Sequence, residues 1–212
     1  MAFQISRIPG DKPRGWAVYI DGILSRDVGT VKIASKFGEM TYGLKPEGYD
    51  GWIFHESGGG GAITIPFVRI NREIYIGLIL EPRLNMGENP VWCAIGGFKD
   101  PNETHRCTAE RETREEVGFL TAVKNLIGLP FNSNRGFFQT DIEDEGIHAY
   151  GLEIPVEWIM IDDNDGCRLS PSVTIGVKKE TNVRFFHWQD AVRLTPDGIA
   201  LAGIAQLLAT IL

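Results

Sequence analysis

Glu112, Glu115 and Glu116 stand at i, i+3 and i+4 in the stretch "THRCTAERETREEVGF". On a helix that spacing puts three carboxylates on one face, with Cβ atoms about 5–6 Å apart. Like charges so placed repel and weaken an isolated helix. A hard divalent cation removes the conflict: Mg²⁺, or Mn²⁺ in its place, takes carboxylate oxygens, keeps several waters and bridges to the phosphate oxygens of a substrate. The competing reading is a solvated helix laced with i,i+4 ion pairs, the ordinary fate of a Glu-rich helix. Arg111 lies four residues before Glu115, where it can pair with that carboxylate and orient it.

Other chemistry-bearing residues form no comparable set. Cys93, Cys107 and Cys167 are odd in number and lack a CxxC pair, so they read as small buried thiols of a reduced intracellular protein. His55, His105, His148 and His187 have no ligand spacing, which argues against a structural zinc site. "SGGGGA" lacks the GK[ST] ending of a P-loop, so its glycines signal a flexible joint or a close backbone approach. In "IDDNDG" the glycine comes one place early for a calcium loop headed by Asp162, and the distal Glu is missing; turn chemistry is the better reading.

The carboxylates need a helix over about residues 104–117. Thr104 is suited to cap it and Gly118 to end it in the left-handed conformation. Its apolar stripe, Thr108, Ala109, Thr113 and Val117, is thin. Around it the chain reads mostly as strands. "WAVYIDGIL" carries an Asp21-Gly22 hairpin signal, and "VKIAS", "EMTYGL" and "GWIFHE" follow. After the glycines come "AITIPFVRI" and "EIYIGLIL", joined by a turn at Asn71, then "PVWCAI". "LTAVKNLIGL", "GFFQTDI", "IHAYGLEI" and "NVRFFHW" read as later strands, with 155–179 a long surface insertion. Ala200, Leu201, Ile204, Leu207, Leu208 and Ile211 repeat at helical spacing, which predicts a C-terminal helix covering the sheet. Two helices separated by blocks of strands predict an α+β fold with a mixed sheet between helices. The chain divides into a strand-rich N-terminal segment, 1–58, and a larger domain, 59–212.

At 212 residues and a formal charge of -7, the chain is unsuited to being held on nucleic-acid phosphates by a basic surface. A phosphate-bearing small molecule is not excluded, because metal ions neutralise both partners locally. No apolar leader or membrane-length run is present, so a cytoplasmic protein with no membrane partner is expected.

The stretch from Gly97 to Phe119 resembles the signature of the Nudix hydrolases. Its fixed positions are Gly97, Glu103, Arg111, Glu112, Glu115, Glu116 and Gly118. A chance match of seven such positions in a chain this size is on the order of 10⁻⁶ at average residue usage. Thr113 departs from the pattern, since the family usually has a bulky aliphatic residue there; weaker helix packing is the expected consequence. The resemblance implies an α/β/α sandwich with a mixed sheet. It implies that Glu112, Glu115, Glu116 and the Gly96 carbonyl bind one to three Mg²⁺ ions, with Glu103 and Arg111 supporting loop and helix. It further implies hydrolysis of a phosphoanhydride in a nucleoside diphosphate linked to another group.

Residues 60–212 are also similar in layout to ADP-ribose and ADP-sugar pyrophosphatases, in several of which an N-terminal segment builds a dimer. A homodimer through residues 1–58 is the corresponding expectation. The Pro-Ala-Gly-Lys of that branch is replaced here by "CAIGGFKD", and Pro130 is only a loose counterpart of its downstream proline. That branch places a catalytic base at a loop glutamate matching Glu180; Glu143, Asp144 and Glu145, or a glutamate of the motif itself, are the alternatives, against a solvated turn. Arg83 and Arg135 could reach a diphosphate, and Trp52, Phe54, Phe137 and Phe138 could stack a base, although surface and core roles are commoner for each. Two other functions stand beside an ADP-ribose-like pyrophosphohydrolase: a nucleoside-triphosphate pyrophosphohydrolase that cleans the nucleotide pool, and a non-catalytic nucleotide-binding module. The retained glutamates speak against the last, as does the expectation of a single helix after the last strand, too little for a winged-helix tail.

Overall fold

The structure, a computed structural model, describes residues 3–7, 16–20, 23–25, 30–35, 38–44, 50–83, 87, 89–118, 125–132, 145–162, 166–173 and 183–212. Strands β1 (Phe3–Arg7), β2 (Trp16–Ile20) and β3 (Ile23–Ser25) form one antiparallel sheet. Ile20 pairs with Ile23, the register a two-residue Asp-Gly hairpin requires. A second antiparallel sheet holds β4 (Thr30–Ser35), β5 (Gly38–Leu44) and β6 (Asp50–Glu56).

Among the described residues the main sheet has nine strands. Its path runs β11 (Leu126–Asn132), β12 (Ile147–Glu153), β7 (Gly61–Ile70), β8 (Glu73–Glu81), β15 (Arg184–His187), β14 (Gly166–Leu169) and β13 (Ile159–Asp162). Strand β9 (Val91–Cys93) pairs with β8, and β10 (Ile95–Phe98) with β7. β12 and β7 run parallel while the other pairs are antiparallel, so the sheet is mixed. Among the described residues there are three α-helices: α1 (His105–Val117), α2 (Trp188–Leu194) and α3 (Gly198–Ile211). None is long and apolar enough to cross a membrane.

Strand β7 shows how the layers form. Successive side chains on a strand point to opposite faces. Ala62 and Val68 join a core with Ala109 and Val117 of α1. Ile63, Ile65 and Phe67 join a second core with Ala200, Ile204 and Leu207 of α3. One strand thus divides its side chains between two helices, giving an α/β/α sandwich of the α+β class.

Three expectations need correction. Residues 155–179 are not simply a surface insertion, because β13 and β14 extend the main sheet and Cys167 is buried. The two strands pair antiparallel with Asp162 opposite Gly166, and residues 163–165 of "IDDNDG" lie outside the described residues. The run "NVRFFHW" ends as a strand at His187, and Trp188 opens α2, so two helices follow the last strand rather than one. Cys107 is exposed, unlike Cys93 and Cys167. The expected strand "GFFQTDI" lies outside the described residues, as does the start of "LTAVKNLIGL".

The glycine run resolves as close approach. A Cβ on Gly60 would fall within the backbone of Gly146. Gly61 N–H donates to Gly146 O at 3.1 Å, Gly146 N–H to Gly59 O at 3.2 Å, and Lys99 N–H to Gly60 O at 3.0 Å. The run therefore stitches the start of β7 to the start of β12 and to the loop that leads into α1.

Candidate active site

Helix α1 forms where its caps predict. The Thr104 hydroxyl accepts from Cys107 N–H at 3.2 Å, and Gly118, at φ 69°, donates its N–H to Arg114 O at 2.9 Å. The buried stripe of Thr108, Ala109, Thr113 and Val117 is joined by His105 and Glu116, which the apolar pattern does not single out. The departure at Thr113 has a partner: its hydroxyl donates to Thr64 Oγ1 of β7 at 2.8 Å, with both residues fully buried. A neighbouring hydroxyl on the sheet thus replaces the packing a bulky aliphatic residue would supply.

Arg111 is the hub of the loop–helix junction. Its Nε and Nη2 grip Glu103 Oε1 and Oε2 at 2.9 and 3.0 Å, a bidentate pair. Nη2 also donates to Phe98 O at 2.9 Å, and Nη1 to Glu112 Oε1 at 2.6 Å. Its contact with Glu115, the partner expected from local spacing, is the long one at 3.8 Å. Glu103 accepts further from Asp100 N–H at 3.1 Å and Thr108 Oγ1 at 2.9 Å. The Arg111 hydrogen bonds foremost hold the Glu103 carboxyl down at about 2, aided by those two donors against burial. Reciprocally, Glu103 is the main cause raising the Arg111 guanidinium above its ordinary value.

The three spaced carboxylates have different surroundings. Glu112 is largely buried, and burial pushes its carboxyl above the usual range; Arg111 opposes this, while Glu115 and Asp100 add to it. A Cβ on Gly97 would land on the Glu112 carboxylate, so a side chain there would displace that carboxylate from the loop backbone. Glu116 is buried and accepts from Gly96 N–H at 3.2 Å. Glu115 is half exposed. Among the described residues, no three His, Cys, Asp or Glu side chains converge as metal ligands. Like charges on one face separate, and Glu112 and Glu116 each take a local donor.

The donor chemistry nevertheless fits a hard divalent cation. Every candidate ligand is an oxygen, and Asp100, Glu103, Glu112 and Glu115 crowd a single guanidinium, leaving surplus negative charge. Gly96 and Gly97 bring the loop backbone against Glu116 and Glu112 respectively.

Arg83 donates through Nη2 to Cys93 Sγ at 3.4 Å and lies 3.6 Å from Glu81; its Nε is buried without a hydrogen-bond partner. Glu145 is buried, so the solvated-turn reading fails for it. Glu180, Arg135, Glu143, Asp144, Phe137 and Phe138 lie outside the described residues. Sequence reasoning missed Thr64, and also Asp100 and Thr108 as partners of Glu103; their only signal was proximity to the motif or to β7.

A family profile described as "NUDIX domain" matches residues 76–194. No curated protein matches the chain. Similar solved structures include an ADP compounds hydrolase, 12% identical over 87% of this chain and 92% of that one, with a TM-score of 0.51. A mutT/nudix family protein from Listeria innocua is 21% identical over 72% of this chain and 93% of its own, at 0.47. The NUDIX domain of Shewanella oneidensis NrtR, complexed with ADP ribose, is 12% identical over 80% and 94%, at 0.48.

Proposed function

Because this chain belongs to the Nudix family of hydrolases, which act on pyrophosphate bonds, we propose that it is a Mg²⁺-dependent pyrophosphohydrolase of nucleoside diphosphate derivatives, with ADP-ribose-like compounds preferred. The observation that carries this reading is the face of α1 where Glu112 and Glu116 lie against the Gly96–Gly97 backbone with Glu115 beside them. A divalent cation held by Glu112, Glu115, Glu116 and the Gly96 carbonyl would neutralise phosphoryl oxygens and make a bound water acidic enough to attack phosphorus.

The chain's own groups have distinct parts. Arg111 and Glu103 lock the loop to the helix, keeping Gly97 against Glu112. Burial of Glu112 away from water strengthens its pull on any positive charge. Glu180 takes the proton of the attacking water, and Arg83 and Arg135 bind the diphosphate. Residues 1–58 form a unit of their own that pairs two copies. The ADP-ribose preference follows the layout of residues 60–212, and the ADP compounds hydrolase that shares the fold names the substrate class to try first.

The test is a substrate panel with Mg²⁺, read by product chromatography. ADP-ribose should give AMP and ribose 5-phosphate. Release of pyrophosphate from nucleoside triphosphates instead would move the protein to pool cleaning. No hydrolysis of any diphosphate derivative with Mg²⁺ or Mn²⁺ would defeat the proposal.

A further inference from the structure

We infer that His105 is a positioning residue of this site: it clamps the glycine run and the start of β12 to the first turn of α1, and so fixes the loop that holds Glu112. His105 Nε2 lies 3.2 Å from Gly59 O and 3.1 Å from Gly146 O. Carbonyl oxygens only accept, so Nε2 carries the hydrogen and shares it between both. The ring is 8% exposed and is backed by the His148 ring, centroids 3.8 Å apart and planes 14° from parallel. The imidazole is thereby held edge-on to two carbonyls that already pair through Gly146 N–H and Gly61 N–H.

The clamp connects to the carboxylates through the backbone. Lys99 N–H hangs on Gly60 O at 3.0 Å, and Gly61 has room only for a hydrogen against Gly97 O. A shift of Gly59–Gly61 therefore carries Gly97–Lys99 with it, and Gly97 is the surface on which the Glu112 carboxylate rests. His105 is the first residue of the helix that carries Glu112. His105 thus adds a second fastening between helix and loop, at the end of α1 opposite the carboxylates, to the one that Arg111 and Glu103 make. A positional error of about 1 Å in such a frame costs on the order of 10²-fold in rate.

The inference rests on the proposed hydrolase reading for its kinetic arm but not for its structural one. His105→Gln keeps an amide donor near the place of Nε2, whereas His105→Asn places it one bond short and His105→Ala removes it. In the full chain, amide hydrogen exchange at Gly61, Lys99 and Gly146 should rise about 10-fold or more in the Asn and Ala variants, with Ile76 and Leu78 unchanged. In the same variants kcat should fall about 10-fold with KM within about 2-fold, the mark of a lost transition-state arrangement. His105→Gln should stay near wild type in both. Should the Ala variant not fold, the Asn and Gln pair decides. Unchanged exchange at those amides, a Gln variant no better than Asn, or exchange that rises while kcat holds would each overturn the inference. An inactive wild-type protein would sink the hydrolase reading alone, because exchange is read without turnover.

Discussion

Helices α1 and α3 cover opposite faces of one strand and are built on opposite principles. α3 buries Ala200, Gly203, Ile204 and Leu207 against Ile63, Ile65 and Phe67, with Asp197 capping it through Ile199 N–H. α1 offers the sheet only Ala109 and Val117 as apolar side chains and relies on polar links for the rest. These links are Thr113 to Thr64, Glu116 to Gly96, and Arg111 to Glu103 and Phe98 O. Burial is non-directional and supplies stability. Charge-assisted bonds fix geometry but return less net stability, since each group gives up water. Of the two helices, α3 is therefore the apolar cover, and α1 is committed to holding carboxylates.

Substitutions should separate the two faces. The largest effect is expected on the α1 side, in rate. Glu116→Gln keeps an acceptor for Gly96 N–H, so it should fold normally and lose about 10³-fold in kcat, the scale of several kcal/mol of transition-state charge stabilisation. Undiminished turnover with a normal melting curve would break the contrast. On the α3 side, Ile204→Ala should cost about 3 kcal/mol of stability in denaturant unfolding while kcat stays within about 2-fold. Gly97→Ala pushes a methyl into the Glu112 carboxylate; it should lower kcat with little change in melting temperature.

Smaller effects sharpen the picture. Thr113→Val strands a buried hydroxyl on Thr64 and should cost about 1–3 kcal/mol. The double change Thr64→Val with Thr113→Val should recover most of that loss, and a double-mutant cycle reads the coupling. The smallest effect is in acid. Glu103 is held at about 2 in the fold against an ordinary 4.5. A depressed carboxyl stabilises the fold fully above its unfolded value and loses that contribution as pH falls through the folded one. The stability gap between wild type and Glu103→Gln should therefore close between pH 4.5 and about 2 in a series of thermal melts.

Much of this asymmetry was legible in the sequence because its signals are local. The caps Thr104 and Gly118, the carboxylate spacing and the stripe of α3 each lie within a few turns of one helix. What was not legible depends on partners distant in sequence or on weak periodicity. Thr113 reads as a defect until Thr64, 49 residues away, is beside it. Arg111 reads as a partner of Glu115 until the loop brings Glu103 back over the helix start. α2 is only seven residues long and continues an apolar run, so strand and helix patterns coincide at Trp188. β13 sits at the sheet edge with Ile161 79% exposed, which blurs the alternation that marks a strand.

The central claim is that the α1 carboxylates, not the apolar face, hold a divalent cation. Titration of the purified protein with Mn²⁺, read by electron paramagnetic resonance of the free ion, tests it without any substrate. Wild type and Ile204→Ala should bind Mn²⁺ alike, and a variant with Glu112, Glu115 and Glu116 all changed to Gln should lose that binding. Equal Mn²⁺ uptake by wild type and the triple Gln variant would contradict the account.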